Sequence, residues 1–308
     1  MFDSVEETIQ LLHDHDYITE VGLATCLFLA QKLGKAIFLE GEPGVGKTEI
    51  AKVLSQALAT PLIRLQCYEG LDINQAVYEW NYPRQLLEIQ SHREQSTDDI
   101  FTEKFLLKRP LLQAIDESHR SAPVLLIDEL DRADEEFESF LLELLSDFQV
   151  TVPEIGTFKA RQIPLVVLTS NNAREMSDAL KRRCLHLYID FPEREQELAI
   201  IKLKAPESAD KLAAEVVTVV QSLRKLDLKK SPGISETIDW VKALTLLNVQ
   251  SLDQDLVNET LDTIVKYEGD VRKAQEELKE YVRRARARRG SDVGPAGSPP
   301  ASDKDLLN

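Results

Sequence analysis

Gly41, Glu42, Pro43, Gly44, Val45, Gly46, Lys47 and Thr48 have the types and spacing of a loop that wraps a phosphate group. Glycines let successive backbone N–H groups turn inward on an anion, and a helix starting at the loop's end adds its positive pole. In this pattern Lys47 reaches the β- and γ-phosphates and Thr48 offers its hydroxyl to Mg²⁺. The stretch expected to contact nucleotide runs on through Glu49. Residues 36–40 before it read as a short buried strand, and Ile50, Val53, Leu54, Ala57 and Leu58 after it recur at helical spacing. Strand, glycine-rich loop and helix follow in the order this chemistry requires, so the sequence predicts binding of a nucleoside triphosphate with Mg²⁺.

A second group of candidates ends the apolar run 124–127, which suits a central parallel strand buried on both faces. Asp128 and Glu129 follow it, at the strand end where open α/β sheets bind ligands. Asp128 is expected to hold Mg²⁺ directly or through water, and Glu129 to orient and polarise the attacking water. Asn171 ends another apolar run, 165–169, and either hydrogen-bonds the γ-phosphate or the attacking water or caps the next helix. Arg182 and Arg183 stand just before a further strand. A guanidinium suits charge-dense phosphate recognition, and one supplied by a neighbouring subunit acts as an arginine finger. Such a finger requires a homo-oligomer.

The elements that must position these residues are legible from periodicity. Two helices fill the first 34 residues, and strands are expected at 36–40, 62–66, 124–127, 165–169 and 185–189. Phe137, Phe140, Leu141, Leu144, Leu145 and Phe148 mark an amphipathic helix against the sheet, and residues 149–160 alternate as a β-hairpin. Residues 67–109, with Tyr68, Tyr78, Trp80 and Tyr82 and the polar stretch 91–99, read as an insertion rather than a core element. Those aromatics serve either to grip a client or to pack the insertion on its own domain. The nucleotide-binding domain is placed at 1–192, a helical domain at 193–289 and a disordered tail at 290–308.

Composition bounds the partners. Fifty-three acidic against 37 basic residues give a net charge of −16, a surface that repels phosphate backbones, so nucleic acid is not an expected partner. The exception is Arg283, Arg284, Arg286, Arg288 and Arg289, which either dock an acidic partner or anionic lipid or complement a helix C-terminus. No apolar run is long enough to span a bilayer and the N-terminus has no leader pattern, so a cytosolic protein without stable membrane insertion is expected. Cys26, Cys67 and Cys184 have no metal-binding spacing and are expected to be reduced.

The order of these features over residues 10–285 resembles the AAA+ ATPases, and the hairpin with the aromatic insertion resembles the MoxR group within them. Longer strings resemble the CoxD branch of that group, associated with maturation of molybdenum-containing carbon monoxide dehydrogenase and its relatives. They include Tyr78-Glu79-Trp80-Asn81-Tyr82, Leu144-Leu145-Ser146-Asp147-Phe148-Gln149-Val150 and Pro232-Gly233-Ile234-Ser235-Glu236-Thr237-Ile238-Asp239-Trp240. The resemblance implies an α/β P-loop NTPase (AAA+) fold with a parallel five-stranded sheet, helices on both faces and a smaller α-helical lid. It further implies ATP with Mg²⁺ as the nucleotide bound and hydrolysed, a hexameric ring, a von Willebrand factor A-type partner and a metalloenzyme client such as a molybdenum hydroxylase. Asn171 matches the first sensor, and Arg183 the trans-acting finger, with Arg182 the alternative. One departure is that Glu236 and Thr237 stand where many relatives carry a sensor arginine, leaving Lys229 or Lys230 as substitutes. The function expected is an ATP-driven remodelling chaperone, and the alternative is a nucleotide-gated binding module whose slow hydrolysis times assembly of a complex.

Overall fold

A strand that is apolar at every position needs cover on both faces, and β5 (Val124–Asp128) is buried along its whole length. With β1 (Ile37–Glu40), β2 (Leu62–Gln66), β8 (Leu165–Ser170) and β9 (Leu185–Tyr188) it forms a parallel five-stranded sheet in the order β2-β5-β8-β1-β9. The computed structural model describes residues 2–91, 100–252 and 254–291. Alternate residues along these strands feed two separate cores, as the period of two requires. Phe38, Leu125, Ile127, Val166 and Leu168 pack with Phe137, Leu141 and Leu144 of α7 (Glu135–Asp147). Ile37, Leu39, Leu126 and Val167 face the other way, against α1 (Val5–Asp14), α2 (Val21–Leu33) and α3 (Lys47–Ala57). The sheet therefore carries helices on both faces, as expected. Each fully buried aliphatic side chain here contributes about 1.5–3 kcal/mol relative to exposure.

Local signals fix the helices that flank the site. Asp134 caps α7, its Oδ1 accepting the Phe137 N–H at 2.8 Å, while Glu135, Glu136 and Glu138 complement the positive pole of the first turn. Ser177 caps α8 (Asp178–Arg183) by accepting the Leu180 N–H at 3.2 Å. The hairpin appears where alternation placed it, as β6 (Gln149–Val152) paired antiparallel with β7 (Gly156–Lys159).

The segment 67–109 corrects one expectation. It is not set apart from the core: Cys67, Leu71, Ala76, Val77 and Leu106 are buried members of the α7-side cluster. It contains α4 (Ile73–Val77), β3 (Tyr78–Trp80), α5 (Tyr82–Ser91) and β4 (Leu106–Lys108), with β3 and β4 antiparallel. Tyr78 and Trp80 pack against that cluster, and the Trp80 ring meets Phe101 edge-on at 5.1 Å. Tyr68 and Tyr82 are exposed. Residues 92–99 of the expected polar stretch lie outside the described residues.

The chain divides into two units, one comprising the chain up to Lys204 with Gly233–Ser235, the other Ala205–Pro232 and the chain from Glu236 onward. The helix α9 (Arg194–Lys204), expected at the head of the helical domain, groups instead with the first unit. The second unit is helical: α10 (Asp210–Leu223), most of α11 (Ile234–Leu246), α12 (Gln254–Thr260) and α13 (Glu268–Ser291). Val216, Val220, Trp240, Leu244, Val257 and Leu261 are buried in it, and Trp240 Nε1 donates to Thr260 Oγ1 at 2.8 Å. The backbone of the arginine-rich run 283–289 lies within α13, and from residue 292 the expected tail lies outside the described residues. Among the described residues no helix is long and apolar enough to cross a membrane.

Candidate functional site

The loop between β1 and α3 takes a course that its glycines permit. Gly41, Gly44 and Gly46 have φ of 154°, 83° and 98°. Gly41 is also held by a close approach: a Cβ there would stand 2.1 Å from the carbonyl oxygen of Ile189, just beyond β9. Gly46 leads directly into α3, whose first-turn N–H groups belong to Lys47, Thr48 and Glu49, the last donating to the Gly46 carbonyl at 3.1 Å. Val45 is buried and anchors the loop, while Glu42 and Pro43 are exposed.

Lys47 is buried beneath the loop, where Nζ donates to the carbonyls of Gly41 at 2.6 Å and Glu42 at 2.7 Å. Burial pulls its ammonium down to about 8, against the opposing attraction of Asp131, Glu42, Asp128 and Glu129. The carboxylate of Glu49 pairs with Lys52 one turn further along α3, at 2.9 Å.

Asp128 closes β5 with both oxygens engaged. Oδ1 accepts from Thr48 Oγ1 at 3.0 Å and from Thr169 Oγ1 at 2.6 Å, while Oδ2 accepts from Arg64 at 2.6 Å. Glu129 follows in the left-handed region, at φ 54°, an uncommon conformation for a non-glycine residue. Its N–H donates to Thr169 Oγ1 at 2.9 Å and its carboxylate pairs with Arg132 at 2.8 Å. Thr48 Oγ1 and Asp128 put hard oxygen donors side by side, a set that suits Mg²⁺.

Asn171 stands at the end of β8, the strand between β1 and β5. Buried Asp131 shapes the turn that follows, its oxygens accepting the N–H of Asn171 at 3.2 Å and of Ala173 at 2.9 Å. The capping alternative for Asn171 falls away, because Ser177 caps α8. Arg182 and Arg183 are exposed in the last turn of α8, with no hydrogen-bond or ion-pair partner among the described residues. The structure thus brings together the loop, Thr48, Asp128 and the backbone of Glu129, and leaves both arginines facing solvent.

Three residues of the site escaped the sequence reading: Arg64, Thr169 and Asp131. Thr169 lay within the recognised run, but the polar role there went to its neighbour Asn171. The proposed sensor substitutes are engaged within the second unit, where Lys230 pairs with Glu236 at 3.2 Å and Lys229 Nζ stands 4.1 Å from the Tyr267 ring centroid. Ile234, in the part of α11 that belongs to the first unit, donates its N–H to the Gly44 carbonyl at 2.9 Å. Cys67 and Cys184 are buried free thiols, each pushed up to about 12 by desolvation, and Cys26 is free as well.

Residues 36–184 match the family described as AAA domain (dynein-related subfamily). The chain is similar to the gas vesicle ATPase GvpN1 of Halobacterium salinarum, 24% identical over 265 residues that cover 81% of this chain and 74% of the relative. It is also similar to an uncharacterized protein of Staphylococcus aureus (strain USA300), 26% identical over 243 residues, 75% of this chain and 85% of the other. Among solved structures it is similar to the Thermotoga maritima RuvB Holliday junction branch migration motor. That likeness has a TM-score of 0.48 and 18% identity, covering 85% of this chain and 72% of the motor. The matched segment spans the loop, both acids, Asn171 and four of the five sheet strands, β1, β2, β5 and β8, and with the parallel sheet and its flanking helices it gives the first unit a P-loop AAA+ fold.

Proposed function

We propose that the protein hydrolyses ATP at this site and uses the cycle to remodel a protein client. The observation that carries the reading is the convergence of the phosphate loop with the acid pair, made by the Thr48–Asp128 and Thr169–Asp128 hydrogen bonds. The loop N–H groups and Lys47 bind the triphosphate, Lys47 exchanging carbonyl partners for phosphate oxygens. Thr48 and Asp128 would hold Mg²⁺, which would supply neutralisation of phosphate charge. Glu129 accepts a proton from the attacking water as its oxygen bonds to the γ-phosphorus, and the bond to the bridging oxygen breaks to leave ADP and phosphate. Asn171 orients that water or the γ-phosphate.

The exposed Arg183, with Arg182 as the alternative, acts on the site of a neighbouring copy, which makes the working form a ring, of six copies by the MoxR resemblance. The CoxD-like strings point further, to a molybdenum hydroxylase as client and a von Willebrand factor A-type partner. The test is the mass in solution with and without ATP and Mg²⁺, read beside turnover against protein concentration, for wild type and Arg183→Ala. Nucleotide-dependent assembly with turnover that rises on assembly and is lost in the variant supports the shared site. A monomer whose hydrolysis ignores both concentration and Arg183 overturns it, and leaves the nucleotide-gated module as the better reading.

A further inference from the structure

Arg64 holds the acid that the site needs for its metal. It lies on β2, the edge strand beside β5, where Gln66 is in register with Asp128. One guanidinium nitrogen reaches both Gln66 Oε1 and Asp128 Oδ2, each at 2.6 Å. The two partners differ sharply in exposure, the Asp128 side chain being 4% exposed and that of Arg64 48%. A buried carboxylate is costly to leave unpaired, and here both oxygens are taken, Oδ1 by two hydroxyls and Oδ2 by a full positive charge. The hydroxyls are neutral and compatible with a nearby cation. The guanidinium opposes one, because two like charges on the same carboxylate repel each other. Arg64 also has somewhere to go, since its strand is at the sheet edge, its side chain is half in solvent and Gln66 offers a second acceptor.

We propose that Arg64 is a positioning residue that neutralises Asp128 and is displaced from Oδ2 as a divalent cation binds the carboxylate, so that it sets the metal affinity of the site. This rests on the assignment of Asp128 as the metal-holding acid. The exchange couples two events, release of a surface arginine and loading of the cation, and keeps the acid paired at every stage.

The test is a titration of the full-length protein with Mn²⁺ at saturating ADP, followed by loss of the free-ion electron paramagnetic resonance signal, for wild type, Arg64→Ala, Arg64→Lys and Asp128→Asn. Arg64→Ala is expected to bind Mn²⁺ about three- to tenfold more tightly than wild type, the scale of one half-exposed charge-assisted pair, with Arg64→Lys between them. Asp128→Asn is expected to weaken binding at least tenfold. Thermal unfolding provides the second readout: Arg64→Ala should melt below wild type in chelator, and the gap should close with Mn²⁺ and ADP. Equal or weaker Mn²⁺ binding by Arg64→Ala, or a gap that persists with metal, overturns the role of Arg64 if Asp128→Asn still weakens binding. Unchanged binding by Asp128→Asn overturns the metal assignment itself.

Discussion

Thr48 and Asp128, 80 positions apart in the chain, are joined by a hydrogen bond of 3.0 Å from hydroxyl to carboxylate. They meet across a strand, because β8 lies between the strand that delivers the phosphate loop and the strand that delivers the acid. Thr169 on β8 completes the connection, donating to Asp128 and accepting from the Glu129 N–H with one oxygen. β8 thus separates β1 from β5, and the hydroxyl of Thr169 ties the Asp128 carboxylate to the backbone of Glu129.

Thr169→Val keeps the shape and removes the oxygen. The part-buried Glu129 N–H loses its acceptor and the buried Asp128 one of its donors, so stability should fall by about 1–3 kcal/mol. ATP turnover should fall roughly tenfold or more as the backbone of Glu129 is released. Urea denaturation and phosphate release check both, with Thr169→Ser as the control that retains the hydroxyl. Wild-type values for the valine variant would mean that the oxygen fixes nothing.

The glycines of the loop should differ in what they tolerate. A methyl group at Gly41 collides with the Ile189 carbonyl, whereas nothing stands within 4 Å of one at Gly46. Gly41→Ala should therefore cost about 3 kcal/mol or more, from backbone strain plus collision, and Gly46→Ala about 1–2 kcal/mol, from its positive φ alone. Equal losses in urea denaturation would contradict the close approach of β9.

Lys47 gives the site a pH signature. Its folded value of about 8 lies below the ordinary lysine value of 10.5, so between those values the unfolded chain binds a proton that the folded protein does not. Stability in the absence of nucleotide should thus rise with pH across that window, by up to about 3 kcal/mol. The burial penalty is present in full below about 8. Lys47→Met should lose this increment. An identical pH dependence of stability in both proteins would mean that Lys47 keeps its charge when buried.

What could be read from the sequence follows the range of the interactions involved. The phosphate loop was legible because its chemistry constrains consecutive residues, and β5 because burial on both faces removes polar residues from a run that then ends in Asp128 and Glu129. The α7 helix and the β6–β7 hairpin were legible from period alone. Arg64 was not, because its partner is set by β2 lying beside β5, and strand order leaves no trace in a local pattern. Asp131 was hidden for the same reason: its carboxylate serves the backbone of Asn171 and Ala173, some 40 positions away. The core contribution of 67–109 was obscured by aromatic and polar residues that mask the short buried run at Ala76 and Val77.

The most direct test of the central claim compares ATP binding and ATP turnover in wild type and Glu129→Gln. The substitution keeps size and backbone contacts while removing the carboxylate that takes the proton. Binding should stay within a few-fold of wild type, and phosphate release should fall about a hundredfold or more, the usual scale for a lost general base. Turnover at the wild-type rate would contradict the assignment of Glu129 and, with it, the account of hydrolysis at this site.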